Sequence, residues 1–150
     1  MWSTLEVGNR AFYVGVIAAI VVAIIAGILT IGGPNSARQD VFDQRRYDNL
    51  RQIATALHCE NWRIMQPELP YDLNLESIRS YCGGIEIQAN VLVDNETSVP
   101  YTYTRISDTE YAVCAVFYDA EKAMRMSYQG YSRSNASFNP DTGCITGRIR

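Results

Sequence analysis

From Ala11 to Gly33 the chain (AFYVGVIAAIVVAIIAGILTIGG) carries no charged residue and nothing more polar than Tyr13 and Thr30. Coiled as a helix, this run reaches about 34 Å, against ~30 Å for the hydrocarbon core of a bilayer. It is longer than the ~7–15 apolar residues of a cleaved signal sequence, and no small-residue cleavage site follows it. The pattern therefore predicts a retained, single transmembrane helix in the lipid bilayer. Within it Ala11, Gly15, Ala19, Ala23 and Gly27 recur every four residues. Residues four apart are neighbours on a helix surface, and small side chains let another helix approach closely. The expectation is a docking face for transmembrane helices of other subunits in a membrane complex.

Beyond the apolar run the pattern changes period. Gly32, Gly33 and Pro34 break the helix. Ser36 then reads as an N-cap, with Gln39 three residues on completing a capping box. An amphipathic second helix is predicted from Ala37 to His58. Its inner face carries Tyr47, Leu50, Ile53, Ala54 and Leu57, and its wet face Arg45, Arg46, Asp48, Arg51 and Gln52. Trp62 to Pro70 reads as a loop, and Leu75 to Tyr81 as one or two helical turns. Three strands are predicted over Ile85–Val93, Val99–Ile106 and Glu110–Tyr118, with turns at Asp94-Asn95 and Ser107-Asp108-Thr109. A short helix is predicted from Ala120 to Met126. Ser127 to Arg150, rich in Ser, Asn and Gly, reads as a tail folded across the sheet. The sum is an α+β fold in which the second helix packs on a small antiparallel β-sheet. The domains are a short N-terminal segment (1–10), the span (11–33) and one small domain (34–150).

Charge and cysteines decide how this domain is placed. A net charge of −3 without a basic run in the C-terminal part excludes nucleic acid as a partner. Arg10 precedes the span, whereas Arg38, Arg45, Arg46 and Arg51 follow it, which by the positive-inside rule puts the domain in the cytoplasm. The cysteines argue the opposite. Cys59, Cys82, Cys114 and Cys144 contain no C-x-x-C pair, and His58 is the sole histidine, so zinc spacing is absent. An even number in a small exported domain points to two disulfides. Of three possible pairings, Cys59–Cys82 with Cys114–Cys144 closes short local loops and is preferred. On this ground the domain is expected outside the cytoplasm.

The chain offers little for catalysis. There is no G-x-S-x-G and no glycine-rich phosphate loop. Asp40 with Asp43, and Asp119 with Glu121, could be written as paired carboxylates, but their polar settings read as solvated surface. His58, at a helix C-terminus, reads as structural. Asn95-Glu-Thr and Asn135-Ala-Ser match the glycosylation sequon, which matters only in a eukaryotic secretory route. No catalytic residue, metal ligand or cofactor is expected.

Several stretches together resemble a known family. Thr4-Leu5-Glu6 is similar to the start of mature type IV pilins, in which a glutamate lies five residues in, the place Glu6 takes once Met1 is removed. Asn49 to Leu57 (NLRQIATAL) resembles the pseudopilin segment after the anchor, and Leu69-Pro70 with Leu73 resembles the L-P-x-x-L that follows it. Pro100-Tyr101-Thr102-Tyr103 and Tyr111 to Ala115 (YAVCA) resemble the sheet of bacterial pilin-like domains, in which a later cysteine, here Cys144, pairs with the strand cysteine. The chain thus resembles type IV pilins and type II secretion pseudopilins over most of its length. The resemblance implies a single-pass protein of the cell inner membrane with a periplasmic domain and a filament contact at Glu6. Two roles are expected from the whole reading, ahead of a third and weaker alternative, an enzyme with an unrecognised site. One is a non-catalytic accessory subunit that docks by its span and covers the exported face of a larger bacterial complex. The other is a pilin-like or pseudopilin-like filament subunit that associates with copies of itself.

Overall fold

The structure, a computed structural model, describes residues 3–31, 33–59, 68–83, 87–127 and 136–149, without the side chains of 3–9, 11, 29–31 and 34. The chain divides into two compact units, Met1–Arg38 and Gln39–Arg150. Their secondary structure is α+β, with four α-helices and a small antiparallel sheet of four strands among the described residues.

In the first unit, helix α1 runs over Ser3–Ile31. Its large apolar side chains are exposed on every side, from Phe12 (66%) through Val22 (65%) to Ile28 (54%). No helix among the described residues is long and apolar enough to cross a membrane. The described side chains of the apolar run cover 12–28, which rise only about 25 Å against the ~30 Å hydrocarbon core. Helix α2 (Pro34–Leu57) starts earlier than the capping box predicts. The Gly33 carbonyl accepts from Ser36 N–H at 3.0 Å and Ala37 N–H at 3.4 Å, so Ser36 lies inside the first turn and is not the N-cap. Pro34 fits the first helical position, where a missing N–H costs no hydrogen bond.

In the second unit, the face of α2 that repeats every three to four residues is buried as its spacing dictates. Leu50, Ile53, Ala54 and Leu57 are all sealed from solvent, and they share one core with Tyr111 and Val113 of the sheet and with Ile145 and Ile149. Tyr47, half-buried, stacks edge-on against Phe138 with ring centres 4.9 Å apart. Helix α3 (Leu75–Tyr81) forms where expected, capped by Asn74, whose side chain accepts from Ser77 N–H at 2.8 Å. Strands β1 (Thr102–Arg105) and β2 (Glu110–Cys114) form the predicted hairpin, and α4 (Ala120–Met126) is capped by Asp119.

The predicted strand over Ile85–Val93 does not form in its described part. Ala89–Val91 make a single 3-10 turn, and only Val93 bridges to Pro100. The turn brings Ile87, Val91 and Leu92 inward together, while Ala89 stays exposed. Alternation was a false guide because the turn buries two adjacent residues. Strand β2 also stops at Cys114, four residues short of the predicted end at Tyr118.

The largest departure is in the tail. Ala136–Asn139 forms β3 and Cys144–Arg148 forms β4, and β4 lies in the middle of the sheet, whose order is β1-β2-β4-β3. The turn between them is built by short polar residues. Asp141 N–H donates to the Asn139 side chain at 2.9 Å, and Gly143 N–H donates to the Asn139 carbonyl at 3.0 Å. Gly143 has φ +66, and a Cβ there would come within 2.5 Å of the Ala115 carbonyl oxygen, so glycine is required on both counts.

Both preferred disulfides are present. Cys59–Cys82 ties the end of α2 to the end of α3, and Cys114–Cys144 joins residues directly opposite each other on β2 and β4. Further along the same ladder, Tyr111 faces Gly147, fully buried, with its hydroxyl donating to the Ala54 carbonyl at 3.3 Å.

A Cβ on Gly147 would lie 2.5 Å from the Tyr111 hydroxyl and 2.6 Å from its ring carbon. Because that ring is enclosed and its hydroxyl anchored to α2, it has little room to move. Gly147→Ala is expected to lower stability by about 1–3 kcal/mol, the usual cost of overpacking a core, measured by urea unfolding of the full chain in detergent.

Candidate functional site

Three polar residues share the inward face of α2 with its leucines. Asp43, Arg46 and Asn49 are spaced three apart, so they continue the line of Leu50, Ile53 and Leu57 towards the helix N-terminus. All three are buried, Arg46 to 4% exposure. The expectation of a wet Arg46 is therefore corrected. Arg45 is exposed as expected, but Arg46 lies one residue further round the helix, on the core side.

The guanidinium is matched on every edge. Its Nη1 donates to Asp43 at 2.8 Å, its Nε to Asp94 at 2.6 Å and its Nη2 to Glu96 at 2.5 Å. The two outer carboxylates come from one tight turn. Asp94 accepts from the backbone N–H of Glu96 at 2.7 Å and of Thr97 at 3.3 Å, which fixes the turn and aims its second oxygen at Arg46. Asp43 reaches the other way, accepting from the backbone N–H of Tyr118 at 3.1 Å and Asp119 at 2.7 Å. Tyr118 closes the ring. Its hydroxyl donates to Glu96 at 3.1 Å, and Arg46 lies 5.3 Å from its ring centre.

The electrostatics follow from this geometry. Burial works against the Arg46 charge, but hydrogen bonds to Asp94, Asp43 and Glu96 outweigh it and hold the proton more firmly than in free arginine. Burial would likewise raise the Asp94 carboxyl. The hydrogen bond and charge of Arg46, with the two backbone N–H groups, override it and push Asp94 below its ordinary value. In these ion pairs one guanidinium faces three carboxylates, so their formal charges sum to a negative excess.

Above the cluster lies an open groove of about 520 Å³. The buried Arg46 and Asp94 line it at the bottom, the exposed Glu96 stands beside them, and Val99, Thr102, Val116, Phe117 and Tyr118 line the rest. Val116 is 85% exposed, Val99 59% and Tyr118 55%. The walls are held by the Cys114–Cys144 disulfide below and by the Asp43 contacts to the backbone of Tyr118 and Asp119.

The residues singled out from sequence fall elsewhere. Ala11, Gly15, Ala19, Ala23 and Gly27 all lie on α1, and a Cβ at Gly15 or Gly27 would meet nothing within 4 Å. Each step of four turns the helix by an extra ~40°, so the five follow an inclined ridge, not a straight row. Glu6 also lies on α1, with its side chain outside the described residues. Of the carboxylates read as solvated surface, Asp119 and Glu121 are exposed, but Asp43 is buried at 2% exposure, which corrects that reading for it. Asp40 binds Lys122 at 2.7 Å, Asp43 binds Arg46, Asp119 caps α4 and Glu121 binds Arg125 at 2.9 Å. Asn95 is exposed on the turn, and Asn135 lies outside the described residues. No group of His, Cys, Asp or Glu that could hold a metal occurs among the described residues. Sequence reasoning missed the Arg46 cluster. The available signal was the three-residue spacing of Asp43, Arg46 and Asn49 in line with Leu50.

Removing one partner of a buried ion pair leaves the others unmatched. Arg46→Met is expected to lose about 3–5 kcal/mol of stability, read from urea unfolding at neutral pH. The depressed Asp94 carboxyl contributes stability that is complete above the ordinary carboxylate range and is lost as pH falls through ~4 towards its own lower value. Asp94→Asn should therefore be less stable than wild type at pH 7, with the difference shrinking on titration to pH 3. No family model, no curated protein and no solved structure matches this chain.

Proposed function

We propose that this chain is a non-catalytic, single-span subunit of a larger bacterial membrane complex, with helix α1 in the lipid and Gln39–Arg150 on the exported side. The observation that carries this reading is α1 itself. It is a helix of 29 residues whose described side chains from Phe12 to Ile28 are apolar and exposed all round. An all-round apolar helix needs either a protein core or a bilayer to cover it. In sequence the same run continues through Leu29 to Gly33. The inclined ridge of Gly15, Ala19, Ala23 and Gly27 suits a close right-handed crossing at about −40°, the geometry that small residues four apart favour. Two disulfides in the second unit favour an oxidising compartment for it.

A second reading has its own support. An amphipathic helix lying on an antiparallel sheet, with a disulfide in the C-terminal half of that sheet, is the arrangement that the pilin resemblance implies. A filament subunit would self-associate through α1 and Glu6 and carry a processed N-terminus.

Extraction in mild detergent followed by affinity purification and mass spectrometry tests both. An accessory subunit copurifies with unrelated membrane proteins in fixed ratio, and the double variant Gly15→Ile with Ala19→Ile loses them by at least tenfold. Copurification unchanged by that variant overturns docking through the ridge. A processed N-terminus and recovery of this chain alone favour the filament.

A further inference from the structure

We propose that the groove above the Arg46 cluster is a docking site for a segment of a partner protein that presents a lysine or arginine between aliphatic side chains. This deepens the reading of the chain as an interaction subunit, and rests on it, by giving the chemistry of the partner at the exported domain. The groove has two sides of different character. Its polar side holds Asp94 and Glu96, which with Asp43 place three carboxylates around the guanidinium of Arg46. Arg46, four backbone N–H groups and the Tyr118 hydroxyl satisfy their hydrogen bonding. These other donors are neutral, and the arginine offsets only one of the three formal charges. A cation entering the groove completes the match at the Glu96 carboxylate, which is the most accessible of the three.

The rim selects what carries that cation. Val116, Val99 and Tyr118 stand in solvent on the same opening, whereas Tyr71, Ile106 and Met126, also large, apolar and exposed, do not line it. Exposed apolar side chains gathered on one opening with polar groups beside them mark an interaction surface. A free metal ion or a small ammonium ion would sit at the polar side and leave Val116 uncovered. A chain segment with aliphatic residues on both sides of its cation covers rim and polar side together. The site is also rigid before binding. The turn at Asp94–Thr97 is fixed by its own hydrogen bonds, and the opposite wall is tied by Cys114–Cys144 and by Asp43. A preformed site loses little side-chain freedom on binding.

The test is a titration of the full chain in nanodiscs, observed at the methyl groups of Val99, Val116 and Thr102 by NMR. The probes are an acetylated, amidated pentapeptide with lysine between two leucines, flanked by serines, its glutamate counterpart, and butylammonium. The expected result is movement of these methyls with the lysine peptide, at least tenfold tighter than with the glutamate peptide and weakened by salt. Val116→Asp, which alters only the rim, should weaken the leucine contacts. Glu96→Gln, which leaves Asp43 and Asp94 on Arg46, should abolish the preference for lysine. Equal binding of the two peptides, shifts confined to other surfaces, or butylammonium binding as tightly as the peptide would overturn the proposal. Copurification through α1 is read separately, with the Gly15→Ile and Ala19→Ile variant, so failure of the groove and failure of the subunit reading are distinguishable.

Discussion

A guanidinium buried on the inner face of a helix must be matched by neighbours that arrive from elsewhere in the chain. In this domain that requirement organises the loops. Arg46 cannot be served by α2 alone, which supplies only Asp43. The remaining edges are filled by Asp94 and Glu96, some fifty residues away in sequence, and they reach it only because the chain turns tightly at Asp94–Thr97. Asp43 then has a free carboxylate edge, which takes the backbone of Tyr118 and Asp119 and so positions the start of α4. One ionic cluster thereby links α2, the turn before β1 and the segment after β2. A buried ion pair adds little net stability when compared with well-packed apolar groups. Its effect is on which arrangement of loops is allowed, since any other leaves a charge unmatched.

The opposite end of α2 is settled by neutral groups. The last carbonyls of a helix have no partner within it. Here the Tyr81 hydroxyl donates to the Leu57 carbonyl at 3.0 Å, and the Tyr111 hydroxyl adds a second donor at 3.3 Å to the Ala54 carbonyl, which already accepts from His58 N–H at 3.1 Å. Both rings are buried, and burial raises the pKa of both hydroxyls, Tyr81 to about 12, so they are weaker acids than free tyrosine and stay protonated as donors. The Tyr111 ring reaches α2 across the sheet face at the place where β4 carries Gly147. The helix is therefore held by charge at its N-terminal half and by tyrosine donors at its C-terminal end, with the aliphatic core between.

What could be read from sequence divides along the same lines. Helical spacing identified Leu50, Ile53, Ala54 and Leu57, because a repeated apolar face is a local property. The disulfides were legible because short loops are easily closed and their cysteines sit in flanking elements. The strands of the tail were not, because β3 and β4 contain Ser, Thr, Asn and Gly, and they are strands only by pairing, β4 with β2 and β3 with β4. The signal that existed was the turn, Asn139-Pro140-Asp141-Thr142-Gly143, whose chemistry suits a hairpin. The 3-10 turn at Ala89–Val91 was hidden by an accidental alternation. The Arg46 cluster was hidden because its partners are distant in sequence, and a charged residue on an amphipathic helix is assigned to solvent unless those partners are known.

The two units differ in what completes them. The core of Gln39–Arg150 is assembled from that unit's own residues, from Leu50 to Ile149, and it closes over its polar groups with hydrogen bonds and ion pairs. Helix α1 has the reverse character. Its side chains from Phe12 to Ile28 offer apolar surface in every direction, whereas a helix that lies on a core needs only one such stripe. Covering that surface on all sides takes a medium, and covering it along one ridge takes a partner. The small residues supply the ridge, and the aliphatic ones supply the rest. A helix with both features calls for two kinds of neighbour at once, and on that ground we propose lipid and other helices as its surroundings.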